Sequence, residues 1–136
     1  MVKLIVGKKG TGKTKALIDG IHDSINTEHG DIIFICKGDR HILDIDHSIR
    51  LIDVTEFDTD DFRVFKSFIN GVLSQNYDIT SIFIDSLLKI VPNDFDNLTC
   101  FINDLAAIAE KNNIKFTICI SADKTELPED IYKYIG

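Results

Sequence analysis

Apolar stretches long enough to cross a bilayer are missing from this 136-residue chain. The opening MVKLIVGKKG also falls far short of the apolar core of a signal peptide, so neither export nor membrane anchoring is expected. Cysteine is scarce. Cys36, Cys100 and Cys119 are odd in number, widely spaced and set in apolar runs such as IIFIC and KFTICI. They fit buried, reduced thiols in a cytoplasmic protein rather than a disulfide frame. An excess of basic charge is missing too: 22 acidic against 15 basic residues give a net charge of -7. That field opposes a nucleic-acid backbone or an anionic membrane surface, so neither is an expected partner. No internal repeat, low-complexity tract or linker breaks the chain, and its length suits one domain, residues 1–136, with a sizeable core.

Short runs rich in Ile, Val and Phe stand at residues 3–6, 32–36, 79–84 and 115–120, each bounded by turn residues, and they predict buried strands. Helical spacing fills the intervals. It runs over residues 16–25, then along Phe62, Phe65, Ile69, Val72 and Leu73, then along Leu98, Phe101, Ile102, Leu105 and Ile108. Each stripe reads as a core-facing surface. Alternating strands and helices predict an α/β fold, a three-layer αβα sandwich around a mostly parallel sheet. Residues 38–57 are less regular. Within them 50–54 suit another short strand, behind a polar loop whose His41, Asp44, Asp46 and His47 read as solvated rather than as a zinc or manganese site. Pro92 and residues 93–97 separate the third run from its helix, and Pro128 starts a final short helix reaching Tyr134.

The segment GKKGTGKT carries the chemistry. Gly7, Gly12, Lys13 and Thr14 fill the pattern G-x-x-x-x-G-K-[ST], with an apolar strand before and a helical pattern after, the context that the pattern requires. At ordinary residue frequencies such a match arises by chance in about one chain of this length in a few hundred. Glycines at 7, 10 and 12 let the backbone turn its amides toward phosphates, and the following helix adds its free amino-terminal amides and positive dipole end. Lys13 can reach the terminal phosphates and the Thr14 hydroxyl can ligate magnesium. The whole segment, Gly7, Lys8, Lys9, Gly10, Thr11, Gly12, Lys13, Thr14 and Lys15, is expected to bind a nucleoside triphosphate, its lysines matching the polyphosphate charge.

With this loop the sequence resembles the P-loop NTPase superfamily, and more narrowly the small P-loop ATP-binding proteins of bacteria. The second hallmark of the superfamily is an apolar strand ending in an aspartate that holds magnesium through water, and SIFID, ending at Asp85, matches it. The resemblance thus implies Thr14 and Asp85 as the metal residues. The GTPase branch is disfavoured, because Ser86, Leu87 and Leu88 follow Asp85 where that branch has D-x-x-G, and no N-K-x-D occurs. ATP with magnesium is the expected ligand. The RecA-like branch keeps a glutamate after the aspartate to orient the attacking water, and here that position is Ser86. Asp39 and Glu56 are the available substitutes. Arg40, Arg50 and Arg63 are the available arginines for the transferring phosphate, Arg40 being best placed after a strand end. Ser121, ending the run 115–120, matches the polar residue with which RecA-like proteins sense the terminal phosphate.

That branch places a polar-tipped strand between the loop strand and the aspartate strand. Run 115–120 is therefore expected between 3–6 and 79–84, with 32–36 outside the aspartate strand. Lys13, Asp85 and Ser121 would carry catalysis. The expected function is an ATP-binding protein that hydrolyses ATP slowly unless a protein partner completes the site. Two alternatives stay open: a nucleotide-dependent protein-binding switch without significant turnover, and a small-molecule kinase using residues 38–57 for its acceptor.

Overall fold

The computed structural model describes residues 1–38, 44–92 and 95–136. The apolar runs become strands β1 (Val2–Gly7), β2 (Asp31–Cys36), β3 (Arg50–Asp53), β4 (Ile79–Ile84) and β5 (Lys115–Ser121). All pair in parallel, in the order β1-β5-β4-β2-β3. Strand β5 thus lies between β1 and β4, and β2 lies outside β4, as the polar tip at Ser121 led us to expect.

Side chains alternate across a strand, so a continuous apolar run is stable only where both faces are covered. Both are. On one face Leu17 and Ile21 of α1 (Lys13–Thr27) pack with Ile32, Phe34 and Cys36 of β2, Phe83 and Cys119. On the other, α2 (Phe62–Gln75) and α4 (Leu98–Asn112) cover Ile33, Ile35, Ile82, Ile84, Phe116 and Ile118. The fold is therefore α/β, with a layering compatible with a three-layer sandwich.

Helix α2 starts where the Asp61 carboxylate accepts the amides of Arg63 at 2.7 Å and Val64 at 3.3 Å, giving two otherwise orphaned donors an acceptor. Its aromatic stripe packs on α4: the rings of Phe62 and Phe65 stack on Phe101 with centroids 4.6 and 5.7 Å apart. Burying each such ring stabilises the fold by about 2–3 kcal/mol.

Four features depart from the sequence pattern or extend it. A four-residue helix, α3 (Leu87–Ile90), follows β4 directly. Ile45 and Ile49, from the stretch read as a polar loop, are buried against the α1 cluster. Cys36 and Cys119 are buried as expected, but Cys100 is exposed. Its neighbours Phe101 and Ile102 face the core, and one step along a helix turns a side chain about 100° away, so an apolar neighbourhood in sequence does not imply burial. Finally, a 3-10 turn at Lys124–Glu126, closed by reciprocal Asp123 and Glu126 bonds, precedes the expected last turn, a 3-10 helix at Glu129–Tyr134 after Pro128. His41 lies outside the described residues, and among those described no three His, Cys, Asp or Glu side chains gather. No helix among the described residues is long and apolar enough to cross a membrane.

Candidate functional site

Strand β1 ends at Gly7, which is in register with Ser121 at the tip of β5. Between Gly7 and α1 the chain makes a tight loop. Gly10 and Gly12 take φ of 88° and 85°, left-handed values that strain any residue with a side chain. The Lys8 carbonyl is the hub of the loop: it accepts the Thr11 hydroxyl at 2.7 Å, the Thr11 amide at 3.3 Å and the Lys13 ammonium at 2.8 Å. The Lys8 ammonium lies 3.7 Å from Asp123, tying the loop to the exit of β5. Helix α1 is capped at Gly12 without a side-chain hydrogen bond, so no capping side chain serves its first amides. Lys13 is only 8% exposed. A buried ammonium held by a carbonyl alone is a poor substitute for one facing an anion.

Asp85 follows β4 and continues the ladder, its amide donating to the Ile35 carbonyl at 3.0 Å, and it is 3% exposed. The next residue, Ser86, takes φ 53° and ψ 60°. For a residue other than glycine that left-handed turn costs about 1 kcal/mol or more. It redirects the chain from strand into α3, and the Ser86 hydroxyl donates to the Asp85 carboxylate at 3.3 Å. Cys119 sits beneath: its thiol is 3.6 Å from the Lys13 carbonyl. Burial first, and the Asp85 carboxylate second, push that thiol up to about 12, while the Lys13 ammonium pulls it down. Lys13, Asp85 and Cys119 are therefore electrostatic neighbours, and Cys119 is an unreactive thiol.

Beside Lys13 opens a cavity of about 460 Å³ lined by Lys9, Gly10, Gly12, Lys13, Thr14, Lys15, Ser86, Lys89 and Ser121. Four lysines line it, none with an ion-pair partner among the described residues, and no described carboxylate lines it. In a chain of net charge -7 this is a concentrated anion-attracting spot.

Most of the residues singled out in the sequence meet here: Lys9, Gly10, Gly12, Lys13, Thr14, Lys15 and Ser121 line the cavity, Gly7, Lys8 and Thr11 shape the loop, and Asp85 is buried next to the lining residue Ser86, whose hydroxyl it accepts. Others do not. Glu56 is in an exposed turn beyond β3, and β3 is four strand spacings, about 19 Å, from β1. Arg50 opens β3, at the opposite edge of the sheet, and Arg63 is in the first turn of α2. Asp39 and Arg40 lie outside the described residues. Sequence reasoning missed Lys89. Its only sequence signal is its spacing four residues after Asp85, which has meaning only once α3 is known to start at once.

No family model matches this chain, and no curated protein matches it at a significant level.

Proposed function

We propose that this chain binds ATP with magnesium at the Gly7–Thr14 loop and, alone, hydrolyses it slowly. The cavity carries this reading: a glycine-rich turn, free helix amides and four lysines converge on one space with no described carboxylate on its walls. Such a lining suits a polyphosphate anion. Thr14 and, through water, Asp85 would hold magnesium, hard oxygen donors that leave room for the waters and phosphate oxygens this ion retains. Magnesium would neutralise charge on the phosphates as it develops. The loop amides and Lys13 orient the anion, and Ser121 at the tip of β5 offers a hydroxyl to its end.

The same walls favour a second reading, a switch whose nucleotide-bound surface recruits a protein. Ser86 stands beside Asp85 where a water-orienting glutamate would serve hydrolysis, and no described acid replaces it at the cavity. Turnover well below the enzyme median of about 10 per second is expected. Calorimetry with ATP, ADP and GTP, with and without magnesium, followed by phosphate release, tests both readings. Magnesium-dependent ATP binding with slow release supports the site. No heat with any nucleotide would dismiss it, and fast release would dismiss the missing-base argument.

A further inference from the structure

We infer that Lys89 is the cation that reads the third phosphate of the bound nucleotide, an inference that rests on the ATP reading above. Three observations converge. First, Lys89 lines the cavity from a different element than the loop: Gly10, Gly12, Lys13 and Thr14 come from β1–α1, whereas Ser86 and Lys89 come from α3. Second, α3 is held firmly although it is short. Leu87 is 0% and Ile90 1% exposed, Val91 is buried behind them, and the Lys89 amide donates to the Ser86 carbonyl at 2.9 Å. With those apolar side chains turned inward, the left-handed turn at Ser86 leaves Lys89 on the cavity wall. Third, Lys89 has no ion-pair partner among the described residues, unlike Lys66 and Lys115, which stand 3.2 and 3.1 Å from carboxylates.

The two walls divide the work. A diphosphate is satisfied by the loop amides, the first turn of α1 and Lys13. A third phosphate extends the anion toward the α3 wall, where Lys89 supplies the charge. None of the three arginines provides a described cation at this cavity, and Lys89 supplies that role within the same chain. Lysine acts there as a point charge on a flexible stem rather than as a bidentate clamp, so arginine should be able to replace it.

The experiment is titration of the full chain with ATP, a non-hydrolysable ATP analogue and ADP, each with magnesium, for the parent, Lys89→Gln and Lys89→Arg. Lys89→Gln should weaken ATP and analogue binding about tenfold, the usual size of one charge-assisted contact, and leave ADP within about twofold. Lys89→Arg should restore most of the ATP affinity. The ligand-free melting temperature should not move, since the replaced group is exposed. Equal losses for ATP and ADP would reduce Lys89 to a general attractant, and no loss for either would remove it from the site; both outcomes overturn the inference. A parent that binds ATP through Lys13 while Lys89→Gln changes nothing refutes this inference alone, whereas a parent that binds no nucleotide refutes the reading beneath it.

Discussion

At the amino edge of the sheet, one oxygen of Glu28 receives Lys115 at 3.1 Å and the Ser81 hydroxyl at 3.0 Å, and the Asn76 amide donates to Asp31 at 2.7 Å. At the carboxyl edge, Lys9, Lys13, Lys15 and Lys89 line one cavity with no ion-pair partner among the described residues. The same kinds of side chain do opposite things. Paired charges at one edge fix how α1, β4 and β5 meet. Unpaired charges of one sign at the other repel one another and weaken the fold slightly, which is the usual mark of a surface kept for a ligand. Net charge alone hides this division, because the acidic surplus is spread over the rest of the molecule.

The sharpest way to break the comparison is Lys13→Ala. At an ATP concentration a hundred times Kd the parent should gain about 2.7 kcal/mol of stability, read as a rise in melting temperature, and the variant should lose most of it. If both bind equally well, the carboxyl edge is not a phosphate site. Next in size is Asp85→Asn, which removes charge from the magnesium position without removing volume. It should weaken the magnesium dependence of ATP binding about tenfold at unchanged fold, by circular dichroism. Superimposable magnesium titrations would assign Asp85 to structure alone.

Glu28→Gln probes the other edge and should do the reverse: lower stability by about 1 kcal/mol in urea and leave ATP affinity alone. It also carries a pH signature. Burial pushes the Glu28 carboxyl up, but the hydrogen bonds from Lys115 and Ser81 and the Lys115 charge outweigh this and hold it below its ordinary value. A lowered carboxylate stabilises the fold above its unfolded pKa of about 4.3, and that stability disappears as pH falls through the lowered folded value. The parent should thus lose stability below about pH 4 more steeply than Glu28→Gln. Equal acid limbs would mean the pair contributes nothing. The smallest effect is expected for Ser121→Ala, a loss of a few-fold in ATP affinity with ADP affinity intact. A loss shared by both nucleotides would move Ser121 away from the third phosphate.

Part of the fold is legible in the sequence for physical reasons. Residues 79–84 are readable as a strand because β4 is buried on both faces and so is apolar apart from Thr80 and Ser81 near its start. Placing β5 between β1 and β4 followed from the resemblance to the RecA-like branch, where a polar-tipped strand lies there, and from the absence of the GTPase motifs; the observed order has β5 in that place. Ile45 and Ile49 are not legible as core because they stand singly among Asp44, Asp46, His47 and Ser48 in turns that belong to neither strand nor helix, yet they pack in the cluster under α1. Cys100 is exposed although its sequence neighbours are apolar, because nearness in sequence is not nearness in space.

By itself the sequence determined the strand and helix alternation and the glycine-lysine loop, because those rest on local geometry: period, turn chemistry and the backbone freedom of Gly10 and Gly12. Tertiary structure alone decided which side chains face the loop. Glu56 and Arg50 are candidates by residue type, and the strand order and direction put Glu56 in the turn beyond the far strand and Arg50 at the opposite edge. Lys89 was not a candidate, and a left-handed Ser86 followed by a buried Leu87 and Ile90 brings it to the cavity. The direction of a side chain after a turn depends on what the rest of its element must bury, and that is settled by residues far away in the chain.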